Sequence, residues 1–463
     1  MLFTQPIFFL FFAFVFALYW SLRNLSARKA LLLIASYAFY AAWDWRFLGL
    51  ILLSTIVDYL VALKIEESAS HKRKKRFLLI SLIVNLGMLA LFKYFNFFIE
   101  GATDLLTAFG AQINQTTLNI VLPVGISFYT FQTLSYSIDV YRGKIKAEKS
   151  LLDIAVFVGF FPQLVAGPIV RAADFLPQLH ITQNWKNVAV KSCLLLFAVG
   201  FFKKACVSDN LAFYVDLIFS NPEGYTPQAL LLGSFLYAIQ IYCDFSGYTD
   251  MAIAVAGLLG FHLPKNFDAP YLARNVVDFW RRWHISLSTW LRDYLYISLG
   301  GNRHGEIKRY RNLMLTMLLG GLWHGAAWTF VFWGFLHGVG LYINHLLKQF
   351  SSVRLPKYPA IALTFIFVLM AWIYFRAPDF ETASTLLVSI FSWSSEGQNT
   401  LPQTVLIASM ACALIHIVWQ KWGMESHLNS LSADKFSIVL GFLWMVNFAL
   451  QASGYAPFIY FQF

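Results

Sequence analysis

Two histidines stand in strongly apolar sequence, where an imidazole is the side chain best able to move a proton. His284 lies in Phe279-Trp280-Arg281-Arg282-Trp283-His284-Ile285-Ser286-Leu287, and His324 in Gly320-Gly321-Leu322-Trp323-His324-Gly325. A titratable side chain in hydrocarbon is costly, so an intramembrane histidine is a functional candidate by default. An imidazole kept neutral by apolar surroundings is a competent general base toward a hydroxyl or thiol. The bland alternative for each is a core histidine hydrogen-bonded to a neighbour. The glycines around His324 fit close backbone approach and equally fit helix packing. His337 lies thirteen residues beyond His324, about 220° around a continuous helix, so it and His345 are weaker candidates. No third ligand of suitable type lies at metal-binding spacing near the pair, and no metal site is expected.

The residues around His284 recur at helical steps. Trp280, Trp283, Leu287, Trp290, Tyr294 and Ile297 make an apolar face, and Arg281, His284, Ser288 and Arg292 fall near one polar stripe. This pattern predicts one amphipathic helix from Asp278 to Gly301. Such a helix either lies in the membrane interface or lines an aqueous cavity with its arginines available to an anionic ligand. Arg281, Arg282, Ser288 and Arg292 are the candidate donor-binding residues. Upstream, Tyr242-Cys243-Asp244-Phe245-Ser246-Gly247-Tyr248-Thr249-Asp250 interrupts an apolar stretch. Asp244 and Asp250 there either cap a helix break or line a cavity. Tyr248, Asn275 and Trp323 join Asp244 as candidate cavity-lining residues. Phe161 to Pro168 carries two prolines and a glycine, which predicts a broken or re-entrant element.

The elements that must hold these groups are transmembrane helices. The chain has 463 residues, 58% of them apolar and only 13% charged, against about 25% charged in a soluble protein. Apolar runs recur from Phe8–Trp20 to Ile438–Phe448, with Val405–Trp419 among them. The pattern predicts an all-α polytopic membrane protein: one integral-membrane domain over 1–463, its motifs concentrated in 118–350. The first apolar run has no positive charge before it, while Arg23, Arg28 and Lys29 follow it. It therefore reads as an uncleaved span with its N-terminus outside. Basic loops at Arg23–Lys29, His71–Arg76, Arg142–Lys149 and Gly301–Arg311 then fall on the cytoplasmic side, joined in pairs by out-and-back spans. The net charge of +11 is scattered between apolar spans with no basic domain, which argues against nucleic-acid binding. Cys193, Cys206, Cys243 and Cys412 form no CxxC or Cys/His cluster, so structural zinc and redox chemistry are not expected.

These residues resemble the membrane-bound O-acyltransferase family. The blocks that carry the likeness are Tyr242 to Tyr248, Leu263-Pro264-Lys265-Asn266-Phe267, Pro270-Tyr271, Phe279 to Leu287, Trp290-Leu291-Arg292-Asp293-Tyr294, Gly300-Gly301-Asn302-Arg303 and Trp323-His324-Gly325. Pro123 to Phe128 and Ala166-Gly167-Pro168-Ile169 also match. The likeness points to the bacterial branch that modifies secreted polymers such as alginate. It implies a ring of tilted helices around a central funnel or tunnel, with His324 as catalytic base and His284 as its companion. It also implies a cytoplasmic acyl thioester such as acetyl-CoA as donor substrate, with no bound cofactor. The acceptor would be a secreted polysaccharide, reached with a periplasmic or extracellular acetyltransferase partner bearing a serine-hydrolase-like domain. The location implied is the bacterial inner membrane. D-alanylation or peptidoglycan O-acetylation would use the same chemistry. A transporter or flippase is the reading from another class, but no pair of matching interrupted segments marks inverted repeats.

Overall fold

In a computed structural model the chain is described at all positions except 112–117, 119–120, 351–354, 394–395, 400–423, 455–457 and 460–463. The expected span Val405–Trp419, with Cys412, lies outside the described residues. Helices dominate, because lipid offers no partners to backbone groups and a helix satisfies them internally. Among the described residues, six apolar helical stretches are long enough to cross a membrane: Leu25–Glu67, His71–Ala108, Pro227–Leu258, Trp328–Phe350, Lys357–Arg376 and Ala433–Leu450. The first runs 43 residues, about 65 Å of helix and twice the hydrocarbon thickness. It breaks at a single tight turn, Trp45–Phe47, where the Asp44 carboxylate accepts the Arg46 N–H at 3.0 Å. The break lies between the basic loops Arg23–Lys29 and His71–Arg76, where an out-and-back pair of spans is expected to turn.

Two compact units share the chain. The first comprises Met1–Val188 and Val255–Pro264. It holds α1 (Pro6–Ser21), α2 (Leu25–Asp44), α3 (Leu48–Glu67), α4 (His71–Leu89), α5 (Phe95–Ala108), α6 (Ile126–Tyr141), α7 (Leu151–Gly159), α8 (Phe161–Leu164) and α9 (Ala172–Leu179). α6 is buried almost throughout despite its serines and threonines. Its Ser137, with Ser81 of α4, donates to the fully buried Asp58 carboxylate of α3, and Asn85 Nδ2 donates to the same group at 2.6 Å. A carboxylate sealed from water must be hydrogen-bonded on every side, so this cluster ties three helices together. Residues Phe161 to Pro168 form a short buried helix and a turn, a broken element as the prolines require. Gly125, at φ +75°, packs so closely there that a Cβ would lie 2.6 Å from the Leu164 carbonyl oxygen. The two small motifs of this unit therefore meet.

The second unit comprises Ala189–Ala254 and Lys265–Phe463. It holds α10 (Val190–Phe201), α11 (Asp209–Ser220), most of α12 (Pro227–Leu258), α13 (Val276–Trp280), α14 (Ile285–Trp290), α15 (Glu306–His324), α16 (Trp328–Phe350), α17 (Lys357–Arg376), α18 (Phe380–Ser392) and the helix Ala433–Leu450. Here α12 is one unbroken helix of 32 residues, so the polar run Tyr242–Asp250 is no helix break and its aspartates are no caps. The charges are instead neutralised from the side. α10 approaches α12 at Gly200 and Gly247, where a Cβ on Gly247 would stand 2.7 Å from the Gly200 carbonyl oxygen. The π-helical turn Phe202–Ser208 then brings Lys204 to Asp244 at 2.5 Å and to Asp209 at 2.7 Å, and Lys203 to Asp250 at 2.7 Å.

Candidate active site

α15 ends at His324 because Gly325 turns the backbone extended, and α16 begins four residues later at Trp328. Glycines let these helices touch. A Cβ on Gly321 would lie 2.2 Å from the Phe330 carbonyl oxygen, and one on Gly334 would lie 2.3 Å from that of Met317. This close packing delivers His324 into the interior, where it is 2% exposed. Its imidazole lies edge-to-face against Trp333 at 5.1 Å and Phe375 at 5.2 Å, with Trp323 at 5.0 Å. An aromatic box of this kind limits ring rotation and excludes water.

His284 is reached differently. The single amphipathic helix expected from Asp278 to Gly301 is absent. α13 stops at Trp280, the chain reverses, α14 runs from Ile285 to Trp290, and a π-helical turn follows over Leu291–Tyr296. At the reversal His284 takes a left-handed backbone, φ +43°, a conformation a non-glycine residue adopts at an energetic cost and mainly at functional sites. The reversal rotates its ring out of the arginine stripe and into the core, where it is fully buried. Asn266 receives it. The Asn266 side-chain oxygen accepts the Ser286 N–H at 3.1 Å and the Ser286 hydroxyl at 2.9 Å, and meets His284 Nδ1 at 3.2 Å. An oxygen accepting two donors meets Nδ1 as an acceptor too, so in the neutral ring Nδ1 carries the proton and Nε2 the lone pair. Backbone bonds from Ile285 N–H to Asn266 O (2.9 Å) and Asp268 N–H to Arg282 O (2.9 Å) fix the same loop. Phe245 of α12 closes edge-to-face on the ring at 4.6 Å.

Trp323 joins the two histidines. Its ring centroid lies 6.1 Å from that of His284 and 5.0 Å from that of His324. The two groups that stood out in the sequence therefore flank one indole.

The other candidates are distributed less simply. Arg281 and Arg292 are exposed while His284 is buried, so the four polar residues do not share one face. Arg282 is paired with Asp278 at 2.8 Å, and Arg292 with Asp293 at 2.7 Å. The Ser288 hydroxyl donates to the Trp283 carbonyl at 3.2 Å. Asn275 is the N-cap of α13, accepting the Asp278 N–H at 2.9 Å, a local reason for its presence. Asp244 and Tyr248 are buried on α12 beside the C-terminal segment. There the Ile459 N–H donates to Asp244 at 2.8 Å, and Phe458 lies 5.6 Å from Phe245 and 5.3 Å from Tyr248, ring centre to ring centre. Sequence reasoning passed over Asn266 and set His337 aside. The Lys265-Asn266-Phe267 block had been singled out for its likeness, but nothing in its spacing pointed to His284. The helical phase that separated His337 from His324 does not apply, because residues 325–327 interrupt the helix. Trp333 contacts both rings, at 5.1 Å and 4.7 Å.

Comparison with known proteins gives the family of the chain. The sequence model of the membrane-bound O-acyltransferase family matches residues 38–377, a range that takes in both histidines. A Pseudomonas aeruginosa protein named "Probable alginate O-acetylase AlgI" is 42% identical over 432 residues, 93% of this chain and 82% of the relative. A Pseudomonas putida protein of the same name is 38% identical over the whole of both chains. A Helicobacter pylori "Peptidoglycan O-acetyltransferase" is 36% identical over 94% of this chain and 91% of its own length. The multi-pass helical fold and the match across most of the chain place this protein in the membrane-bound O-acyltransferase family, as an acyltransferase.

Proposed function

We propose that the protein carries an acyl group, most simply acetyl, from a cytoplasmic thioester such as acetyl-CoA to the far side of the bacterial inner membrane. There it would serve O-acetylation of a secreted polysaccharide such as alginate. The observation that supports this reading is the pair of buried imidazoles flanking Trp323. In the proposed reaction the acceptor oxygen forms a bond to the acyl carbon as the carbon–sulfur bond breaks. His324 takes the acceptor's proton and returns it to the leaving thiolate. His284 is the second group placed to handle a proton. With Nδ1 committed to Asn266 it offers a lone pair at Nε2, which suits proton acceptance. Only after taking a proton does it become a donor to a developing oxyanion. Arg281, exposed and without an ion pair among the described residues, is best available to the donor's phosphates.

The final step is assigned to a separate periplasmic or extracellular acetyltransferase with a serine-hydrolase-like domain, acting on the polymer itself. The orientation follows the positive-inside rule: basic loops to the cytoplasm, N-terminus outside. The Helicobacter relative favours peptidoglycan as a second acceptor for the same membrane chemistry. The test is the acetyl content of secreted polymer and of peptidoglycan, measured by NMR in cells carrying the wild type or His324→Ala at equal membrane levels. The account expects one polymer to lose its acetyl groups in the variant. Unchanged acetylation of both polymers removes His324 from the mechanism.

A further inference from the structure

His337 is a second buried imidazole on the far side of the aromatic box, and the proposed transfer does not use it. It lies in the membrane-spanning helix α16 and is fully buried. An apolar side chain of similar shape would be cheaper there, since every polar group in hydrocarbon needs a partner. Its Nδ1 accepts the Trp280 indole N–H at 3.2 Å. An indole nitrogen only donates, so Nδ1 is the deprotonated nitrogen of the neutral ring. Nε2 then carries the proton and, among the described residues, meets no hydrogen-bond partner. The ring also packs on Trp333 at 4.7 Å and stacks on Phe279 at 5.8 Å. Trp280 and Phe279 belong to α13, four and five residues ahead of His284. Trp333 is the ring that faces His324. His337 therefore touches both structures that aim the histidines, through one directional bond and one aromatic contact.

We propose that His337 is a positioning residue. By holding Trp280 on one side and Trp333 on the other, it sets His284 and His324 in their working orientation. This rests on the acyl-transfer reading given above. A misplacement of a reacting group by about 1 Å costs up to about a hundredfold in rate, so loss of the Trp280 bond belongs in the chemical step rather than in donor binding.

The experiment measures kcat and KM for acetyl transfer from acetyl-CoA with the full-length protein in lipid nanodiscs, together with its partner. His337→Phe keeps a ring and removes the acceptor, Trp280→Phe removes the donor, and His337→Asn restores an acceptor near the Nδ1 position. Each Phe variant is expected to lose about tenfold or more in kcat with KM within about twofold. The double variant should fall no further than either single, because both remove one bond. His337→Asn should recover most of the rate. Wild-type kcat in Trp280→Phe, or losses that multiply in the double variant, overturns the proposal, and Trp280→Phe decides the matter even where His337→Phe fails to fold. His324→Ala in the same series separates the two claims. Retained transfer there sinks the underlying reading, whereas background transfer there with an active Trp280→Phe sinks only the role of His337.

Discussion

Asn266 carries three contacts on one oxygen, all within the loop that turns His284 inward. Replacing it with alanine removes this acceptor from the Ser286 N–H, the Ser286 hydroxyl and the His284 ring at once. Each buried group left unsatisfied costs about 1–3 kcal/mol, so Asn266→Ala should lower the unfolding temperature in detergent and cut acetyl transfer severely. Unchanged stability and turnover would remove Asn266 from the site. The arginines give a contrasting pair. Arg292→Gln breaks an exposed pair with Asp293, of a kind that contributes about 0–1 kcal/mol, and should leave the KM for acetyl-CoA nearly unchanged. Arg281→Gln should raise that KM several-fold, by analogy with other charge-assisted phosphate contacts. Equal KM values in the two variants would take Arg281 out of donor binding. His284 and His324 were legible in the sequence because an imidazole stands out in an apolar run. Asn266 was not, because it meets His284 across eighteen residues and only after a backbone reversal that helical periodicity cannot encode.

The elements explain why those side chains arrive where they do. α15 and α16 pack through glycines, and the bland explanation of the glycines around His324 is the one the geometry favours at Gly321. A Cβ there would lie 2.2 Å from a backbone oxygen, so Gly321→Ala must push the helices apart. Overpacking of this sort costs about 1–3 kcal/mol, and the variant should lose transfer activity together with thermal stability. Activity and stability both at wild-type levels would show that the helices separate freely. The charged island on α12 makes a second case. Its aspartates read equally as caps or as cavity-lining groups because sequence shows polarity and not partners, yet Lys204 and Lys203, forty or more residues earlier, supply the counter-charges to Asp244 and Asp250. Lys204→Met leaves two buried carboxylates without their cation, at about 3–5 kcal/mol for such a broken pair, and should sharply reduce the yield of folded protein. The Asp278–Gly301 helix failed for a related reason. Steps of three and four persist through a reversal and a π-helical turn, so periodicity suggested one rod where there are three pieces.

At the scale of the whole molecule, composition alone settles the class. Long apolar runs with few charges admit only helices that satisfy their own backbone in lipid, and six such stretches are present among the described residues. The broken element at Phe161–Pro168 was equally visible, since proline chemistry acts locally. The clustering of the site was less visible, because aromatic rings from α12, α15, α16 and α17 converge on it from distant sequence. The family match fixes acyltransfer, and the buried pair supplies groups able to carry it out. The most direct test of that claim is release of free CoA from labelled acetyl-CoA by the purified protein in nanodiscs with the proposed partner and acceptor polymer, comparing the wild type with His324→Ala. The account predicts steady release by the wild type and background release by the variant at equal folded protein. Release at the wild-type rate by His324→Ala would contradict it.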